Sequence, residues 1–235
     1  MKRKPRRDAQ ETCQRLLAAA AEVFARKGFW EATHAEICEK AGANTAAVNY
    51  HFTSKENLYV EAWRSAFERS VQAHPPDGGV PADASPQERL RGTILSLMRR
   101  MGDPTNFEVE IVHKEMANPT GLLAEAMHRA IDPLRMDMRV LVRELLGDGA
   151  SEQSVTLCEM SLMGLCFGPI GHIRGFRPPG APHRDDPSFK FSVEELAEHV
   201  TQFILAGIRN IRERTTRAAK GVRRRRRDSR NSKRE

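Results

Sequence analysis

The stretch that most limits how this chain can fold runs from Thr33 to Lys55, where THAEICEKAGANTAAVNYHFTSK reads as two short helices around a glycine turn. Thr33 is a good N-cap, because its hydroxyl can accept from the free amides of a helix over about 34–40. Ile37 and Ala41 lie four apart and so share a face. Gly42 follows the last helical residue, where a left-handed backbone is needed and a residue without a β-carbon takes it at least cost. Asn44 or Thr45 can cap a second helix through about Tyr50. In that helix Val48 faces back towards Ile37 and Cys38, while Thr45, Ala46 and Asn49 face away.

Two amphipathic helices joined by a glycine also occur in ordinary bundles, so the flanking sequence decides how to read them. Upstream, Glu11 to Lys27 carries Leu16, Leu17, Ala20, Val23 and Phe24 at helical spacing, and Gly28 ends it. Downstream, Ser54-Lys-Glu-Asn-Leu-Tyr opens a fourth helix with Glu56 in its first turn. The outward face of the second short helix is small and polar. Such a face lets a helix sit deep in a major groove, with amide and hydroxyl groups in reach of base edges.

Phe24, Gly28, Thr33, Ile37, Ala41-Gly42, Tyr50-His51-Phe52, Ser54-Lys55-Glu56 and Leu58-Tyr59 together resemble the N-terminal domain of TetR-family transcriptional regulators. The resemblance covers about the first 60 residues. It implies that Thr33 and Lys55 grip backbone phosphates and that Asn44, Thr45, Ala46, Asn49, Tyr50 and His51 lie at the DNA. Each has a plainer reading. Thr33 can be only a cap, His51 a hydrogen-bonded structural residue, Lys55 an ordinary exposed lysine at a helix start, and Phe52 the plug of a three-helix core. Cys38 stands where the family usually has alanine. Asn49 stands where many members have tyrosine, so either it or Tyr50 meets phosphate.

At 235 residues the chain suits one small domain and one larger one. The expected division is a basic disordered arm (1–8), a helix-turn-helix domain (9–54), a larger helical ligand-binding and dimerisation domain (55–215) and a basic disordered tail (216–235). The fold class expected is all-α. The net charge of +7 is unevenly spread: residues 1–8 carry +4 and residues 209–235 carry +10, leaving −7 on the stretch between. Lys2-Arg3-Lys4-Pro5-Arg6-Arg7 directly precedes the first helix and could lie along phosphates or in the minor groove. Cysteines 13, 38, 158 and 166 have no zinc-ligand spacing and no Cys-x-x-Cys pair, which fits a reducing cytoplasm. The apolar uncharged run Met160 to Ile173 falls short of the roughly 20 apolar residues of a spanning helix. No signal-peptide core follows the basic start.

After a Pro-, Gly- and Asp-rich break at 74–86 the sequence reads as helical. Ser85-Pro86-Gln87-Glu88 combines an N-cap, a first-turn proline and a capping-box glutamate. Asp103-Pro104 starts a helix to about Asn118. Residues 121–130 and 133–146 form either one helix kinked at Pro133 or two. Another helix spans about 152–173, in which Gly164 and Gly168 suggest close approach of a neighbour. Ser192-Val-Glu-Glu opens the last, with Leu196, Val200, Phe203, Ile204 and Ile208 on one stripe that must be buried. Within a monomer it packs on the core. In a dimer it would join Leu162 and Leu165 in a four-helix interface, as in TetR relatives, and two-fold symmetry favours the dimer because one helix-turn-helix reads a single half-site.

Glu115-Met-Ala-Asn-Pro-Thr120 and Ala130-Ile-Asp-Pro-Leu134 further resemble the CecR-like subgroup of that family. The resemblance implies a ligand cavity, with Met98, Met101, Phe107, His113, Met116, Cys166 and His172 as candidate lining, though a Met or Phe at helical spacing is usually core and His113 has the plainer reading of a satisfied polar residue. The expected function is therefore a dimeric repressor that binds a palindromic operator and is released by a small-molecule effector. The alternative is a non-specific or architectural nucleic-acid binder driven by the basic ends. No Ser-His-Asp grouping, phosphate loop or His-Glu-x-x-His pattern argues for an enzyme, and no cofactor, metal or membrane partner is called for.

Overall fold

The computed structural model describes residues 5–169, 171, 174 and 191–231, and side chains from 8 to 217 within that set. Lys2 to Lys4 and His172 lie outside the described residues. The fold is all-α, with no strand among the described residues. The helices are α1 (Pro5–Glu31), α2 (His34–Ala41), α3 (Thr45–His51), α4 (Lys55–Ala73), α5 (Pro86–Gly102), α6 (Phe107–Ala117), α7 (Ala124–Leu146), α8 (Glu152–Phe167) and α9 (Val193–Asn231). Among the described residues none is long and apolar enough to cross a membrane.

Two compact units share the chain, and they are interleaved. The first holds α1 to α4 together with Asp103–Pro133; the second holds Pro76–Gly102 and the chain from Leu134 onward. The chain passes between the units near 75, near 102 and at Pro133. α4, expected to open the larger domain, belongs to the first unit. Sequence order concealed this because α6, 76 or more residues after α1 ends, packs directly on α1 and α4.

In the first unit α1 is the central element, packing on α2, α4 and α6. Leu16, Ala20, Phe24, Ile37, Val48, Leu58, Tyr59 and Ala62 are fully buried. Phe24 meets Tyr59 edge-on with ring centres 4.8 Å apart, and Phe29 lies 5.2 Å from Tyr59. A buried aromatic contributes about 1.5–3 kcal/mol by area alone. The second unit is built on Leu90, Ile94, Met98, Val142, Val155, Leu162, Val200 and Ile204. Between α7 and α8 sits an almost fully buried carboxylate, Glu159, which accepts from Arg139 at 2.8 Å and also from Arg135.

Several boundaries depart from the sequence reading for local reasons. α1 begins at Pro5, so residues 5–8 are helical where a disordered arm was expected; proline suits a first helical position, and Arg, Ala and Gln are good helix formers. α6 begins at Phe107 and not at Pro104. The Asp103 carboxylate is taken by the Thr105 amide at 2.8 Å and hydroxyl at 2.7 Å, and Asn106 caps the helix instead, accepting from Glu108 N at 3.1 Å. α7 is one helix through Pro133. α8 stops at Phe167, ahead of Pro169, which has no amide hydrogen to extend the ladder. α9 continues to Asn231 through the segment expected to be disordered, since Arg, Lys and Ala favour helix even without a core to bury. A β-carbon at Gly164 would meet nothing within 4 Å, so the close neighbour expected there is not supplied by this chain's described residues.

Candidate nucleic-acid interface

The turn between α2 and α3 is determined by four short-range devices. Thr33 accepts from Glu36 N at 3.3 Å, and the Glu36 carboxylate accepts from Thr33 N at 3.2 Å, a complete capping box. The hydrogen bond from Lys27 is the chief reason the Glu36 carboxyl titrates below its ordinary value; Thr33 adds to it. Gly42 is left-handed (φ 59°, ψ 41°), and the Gly42 and Ala43 amides donate to Glu39 O at 3.2 Å and Cys38 O at 2.9 Å. That paired return is a Schellman ending. Asn44, not Thr45, caps α3, its side-chain oxygen accepting from Ala47 N at 2.9 Å.

With those ends in place, α3 has one orientation. Val48 is fully buried against the first unit, and Thr45, Ala46, Asn49 and Tyr50 are exposed, Tyr50 at 79%. Asn44 is also exposed, but its oxygen is used in the cap and only its amide hydrogens remain to donate. Thr33 is exposed, and its hydroxyl donates to Glu36 at 3.1 Å, so it has a structural duty at the position where the resemblance implies a phosphate contact. His51 is half-buried, its ring 5.0 Å from that of Tyr50 and 6.1 Å from that of Phe52. Phe52, 4% exposed, is core.

Lys55 is half-buried, its ammonium 4.6 Å from the centre of the Phe29 ring. Burial holds its pKa below the usual lysine value, with Glu56 opposing. Phe29 can reach this place because the chain leaves the helix at Gly28 (φ 75°, ψ 179°) and turns the next residues out of the α1 register. In the sequence Gly28 reads only as a helix stop, and nothing in its spacing points to the aromatic platform behind it.

A second arrangement also escaped that reading. The Tyr59 hydroxyl, on α4, donates to Glu115 Oε2 at 3.0 Å, while Glu115 Oε1 accepts from the Thr120 amide and hydroxyl, both at 2.9 Å, and from Gly121 N at 2.8 Å. Burial and then the neighbouring Glu115 charge raise the Tyr59 pKa, so the phenol stays protonated and can donate. Glu115 thus ties the α6–α7 loop to the helix that begins at Lys55. The one signal available was the Glu115-to-Thr120 motif itself, whose partner lies 56 residues earlier.

The remaining candidates are dispersed. Met98, Met101 and Cys166 are buried in the second unit, burial pushing the Cys166 thiol up to about 12. Phe107, His113 and Met116 belong to the first unit, with His113 exposed and Met116 77% exposed. Phe107 lines a cleft of about 320 Å³ with Ala66, Ser70, Asp103, Thr105 and Asn106. Of the interface candidates, Leu162, Val200, Ile204 and Ile208 are buried in the chain's own core, Leu165 and Leu196 are half-buried, and Phe203 is 62% exposed. Helical spacing identified their common side of the helix but not what covers it.

Residues 16–62 match the family of bacterial regulatory proteins of the tetR family, and residues 86–208 match the C-terminal domain of the HTH-type transcriptional dual regulator CecR. The HTH-type transcriptional regulator SrpR of Pseudomonas putida is 26% identical over 171 residues, covering 72% of this chain and 76% of its own length. CecR of Shigella flexneri is 28% identical over 166 residues, covering 66% and 74%. In fold, the chain is similar to a transcriptional regulator from Pseudomonas aeruginosa PAO1 (TM-score 0.67, 16% identity, 91% of this chain and 96% of that one). A TetR-like regulator from Rhodococcus sp. RHA1 is also similar (TM-score 0.63, 19% identity, 84% and 95%). The relatives are transcriptional regulators, and the chain belongs with them to the TetR family of helix-turn-helix DNA-binding regulators, with a C-terminal domain of the CecR type.

Proposed function

We propose that this protein is a cytoplasmic dimeric repressor that holds a palindromic operator and is released from it by a small-molecule effector. The observation that carries the DNA half is the orientation of α3: Val48 is buried and the small polar set Thr45, Ala46, Asn49 and Tyr50 is exposed. Asn49 is the residue assigned to base edges, since its amide can both donate and accept, and Lys55 and Thr33 are assigned to phosphate. The dimer is supported by exposed apolar side chains on α8 and α9, namely Leu157, Met160, Phe167 and Phe203, beside Gly164 and Gly207, whose absent β-carbons leave open space. Repression is the family's common mode.

For the effector, the cleft beside Phe107 is the favoured site. Its walls include Ala66 and Ser70 of α4 and the Asn106 cap of α6, two helices already joined through Tyr59 and Glu115. A ligand there acts on DNA affinity only if it binds the operator-free arrangement of α4 more tightly. Free cysteines at 13, 38, 158 and 166 agree with a reducing compartment.

Selecting DNA fragments from a random pool with the purified protein tests the reading. The expected product is an inverted repeat with half-site centres one helical turn apart, about 34–36 Å, or a multiple of it. Asn49→Ala then shifts the selected bases while leaving total binding to random duplex unchanged. A pool that stays random after repeated selection overturns the proposal.

A further inference from the structure

We propose that the segment of α9 from Arg209 to Arg230 is a second nucleic-acid-binding element, which grips duplex phosphates without reading sequence. Up to Ile208, α9 is an ordinary core helix, with Ala197, Val200, Ile204 and Ile208 each at most 5% exposed. Beyond Ile211 the apolar stripe ends, leaving Ala218, Ala219 and Val222 as the apolar residues of 212–231, yet the backbone stays helical to Asn231. Eleven basic and two acidic residues lie between Arg209 and Arg230, a net +9. At a rise of about 1.5 Å per residue that charge is spread along about 33 Å.

The five consecutive positions 223–227, all arginine, step by about 100° each and so are spread around the whole circumference of the helix. A run without one apolar residue offers no position to an apolar core. Like charges at i,i+3 and i,i+4, as in Arg223 with Arg226 and Arg227, oppose the helix in isolation. A polyanion removes that repulsion, and duplex DNA offers one phosphate per about 1.7 Å of axis. Arginine's fork also suits phosphate in a bidentate contact. Nearer the core, Arg209, Arg212, Arg214 and Arg217 are all exposed. An anionic membrane fits less well, because a helix lying in a bilayer interface needs a broad apolar face that Ala218, Ala219 and Val222 do not make.

The test compares the full chain with a variant carrying Gln at Arg223 to Arg227, a change that keeps helix propensity. Binding to a random-sequence duplex of about 40 base pairs is followed by anisotropy across a salt series from about 50 to 300 mM. With about three of the five arginines able to face one phosphate track, the salt slope should fall by about 2–3 and affinity at the lowest salt by about tenfold or more. Equal slopes and affinities within about twofold overturn the inference. So does a loss confined to phosphatidylserine vesicles, which would assign the segment to lipid. The operator reading is judged separately by Asn49→Ala, which alters preference between sequences; if neither chain shows any preference, that reading fails while the slope difference still stands.

Discussion

Replacing Lys55 with alanine separates two physical roles that the structure superimposes on one side chain. The ammonium lies 4.6 Å from the centre of the Phe29 ring, at the first residue of α4, and is partly withdrawn from water. A cation so placed stabilises the folded state by about 0.5–1 kcal/mol. The same ammonium is assigned to a backbone phosphate, and losing one such contact on duplex DNA lowers the salt slope by about 0.9. Wild-type affinity then falls faster with salt than that of Lys55→Ala. Between about 50 and 200 mM salt the gap between the two proteins should close by about 3.5-fold, on selected and random duplexes alike. Anisotropy titrations at four salt concentrations read the slope, and urea unfolding of the same preparations reads the stability. Lys55→Arg should preserve both. A gap that is the same at every salt concentration, alongside the stability loss, would mean that Lys55 serves only to pack on Phe29, and the phosphate assignment would be wrong.

Thr33→Ala should lower unfolding stability by about 1 kcal/mol through loss of the cap on α2, and Thr33→Ser should restore it. Recovery of stability without recovery of DNA affinity would show that the threonine methyl matters at the interface. Glu159 is raised by burial, but the hydrogen bonds from Arg135 and Arg139 more than offset this and leave its carboxyl below the ordinary value of 4.5. Its contribution is therefore present above about pH 4.5 and lost as pH falls through the lower folded value. Glu159→Gln should cost about 1–3 kcal/mol at neutral pH and flatten the acid limb of the stability curve; an unchanged acid limb refutes that assignment. Phe203→Glu, at a 62% exposed site on α9, should yield monomers in sedimentation with the thermal transition little changed. A variant that remains dimeric would remove Phe203 from the interface.

The short-range architecture was legible because its causes are short-range. Thr33, Gly42 and Ser54 cap or end the helices that their sequence neighbours predicted, and Val48 is the inward residue of α3. Each device acts within about four residues, the span of one helical turn, and so leaves its trace in local spacing. At Pro133, where spacing allowed one helix or two, the continuity of α7 decided it, and at Pro104 hydrogen bonds accepted by Asp103 and Asn106 moved the helix start on to Phe107. Tertiary structure alone decided the rest. Periodicity assigns a residue to a side of its helix without naming what lies opposite, so Met98 and Met116 looked alike until one proved 1% and the other 77% exposed. Tyr59 and Glu115 meet across 56 residues, Lys55 finds Phe29 across a broken helix, and α6 returns to pack on α1. Such pairings depend on how whole helices bury their apolar faces against one another, a collective balance that no single stretch of sequence contains.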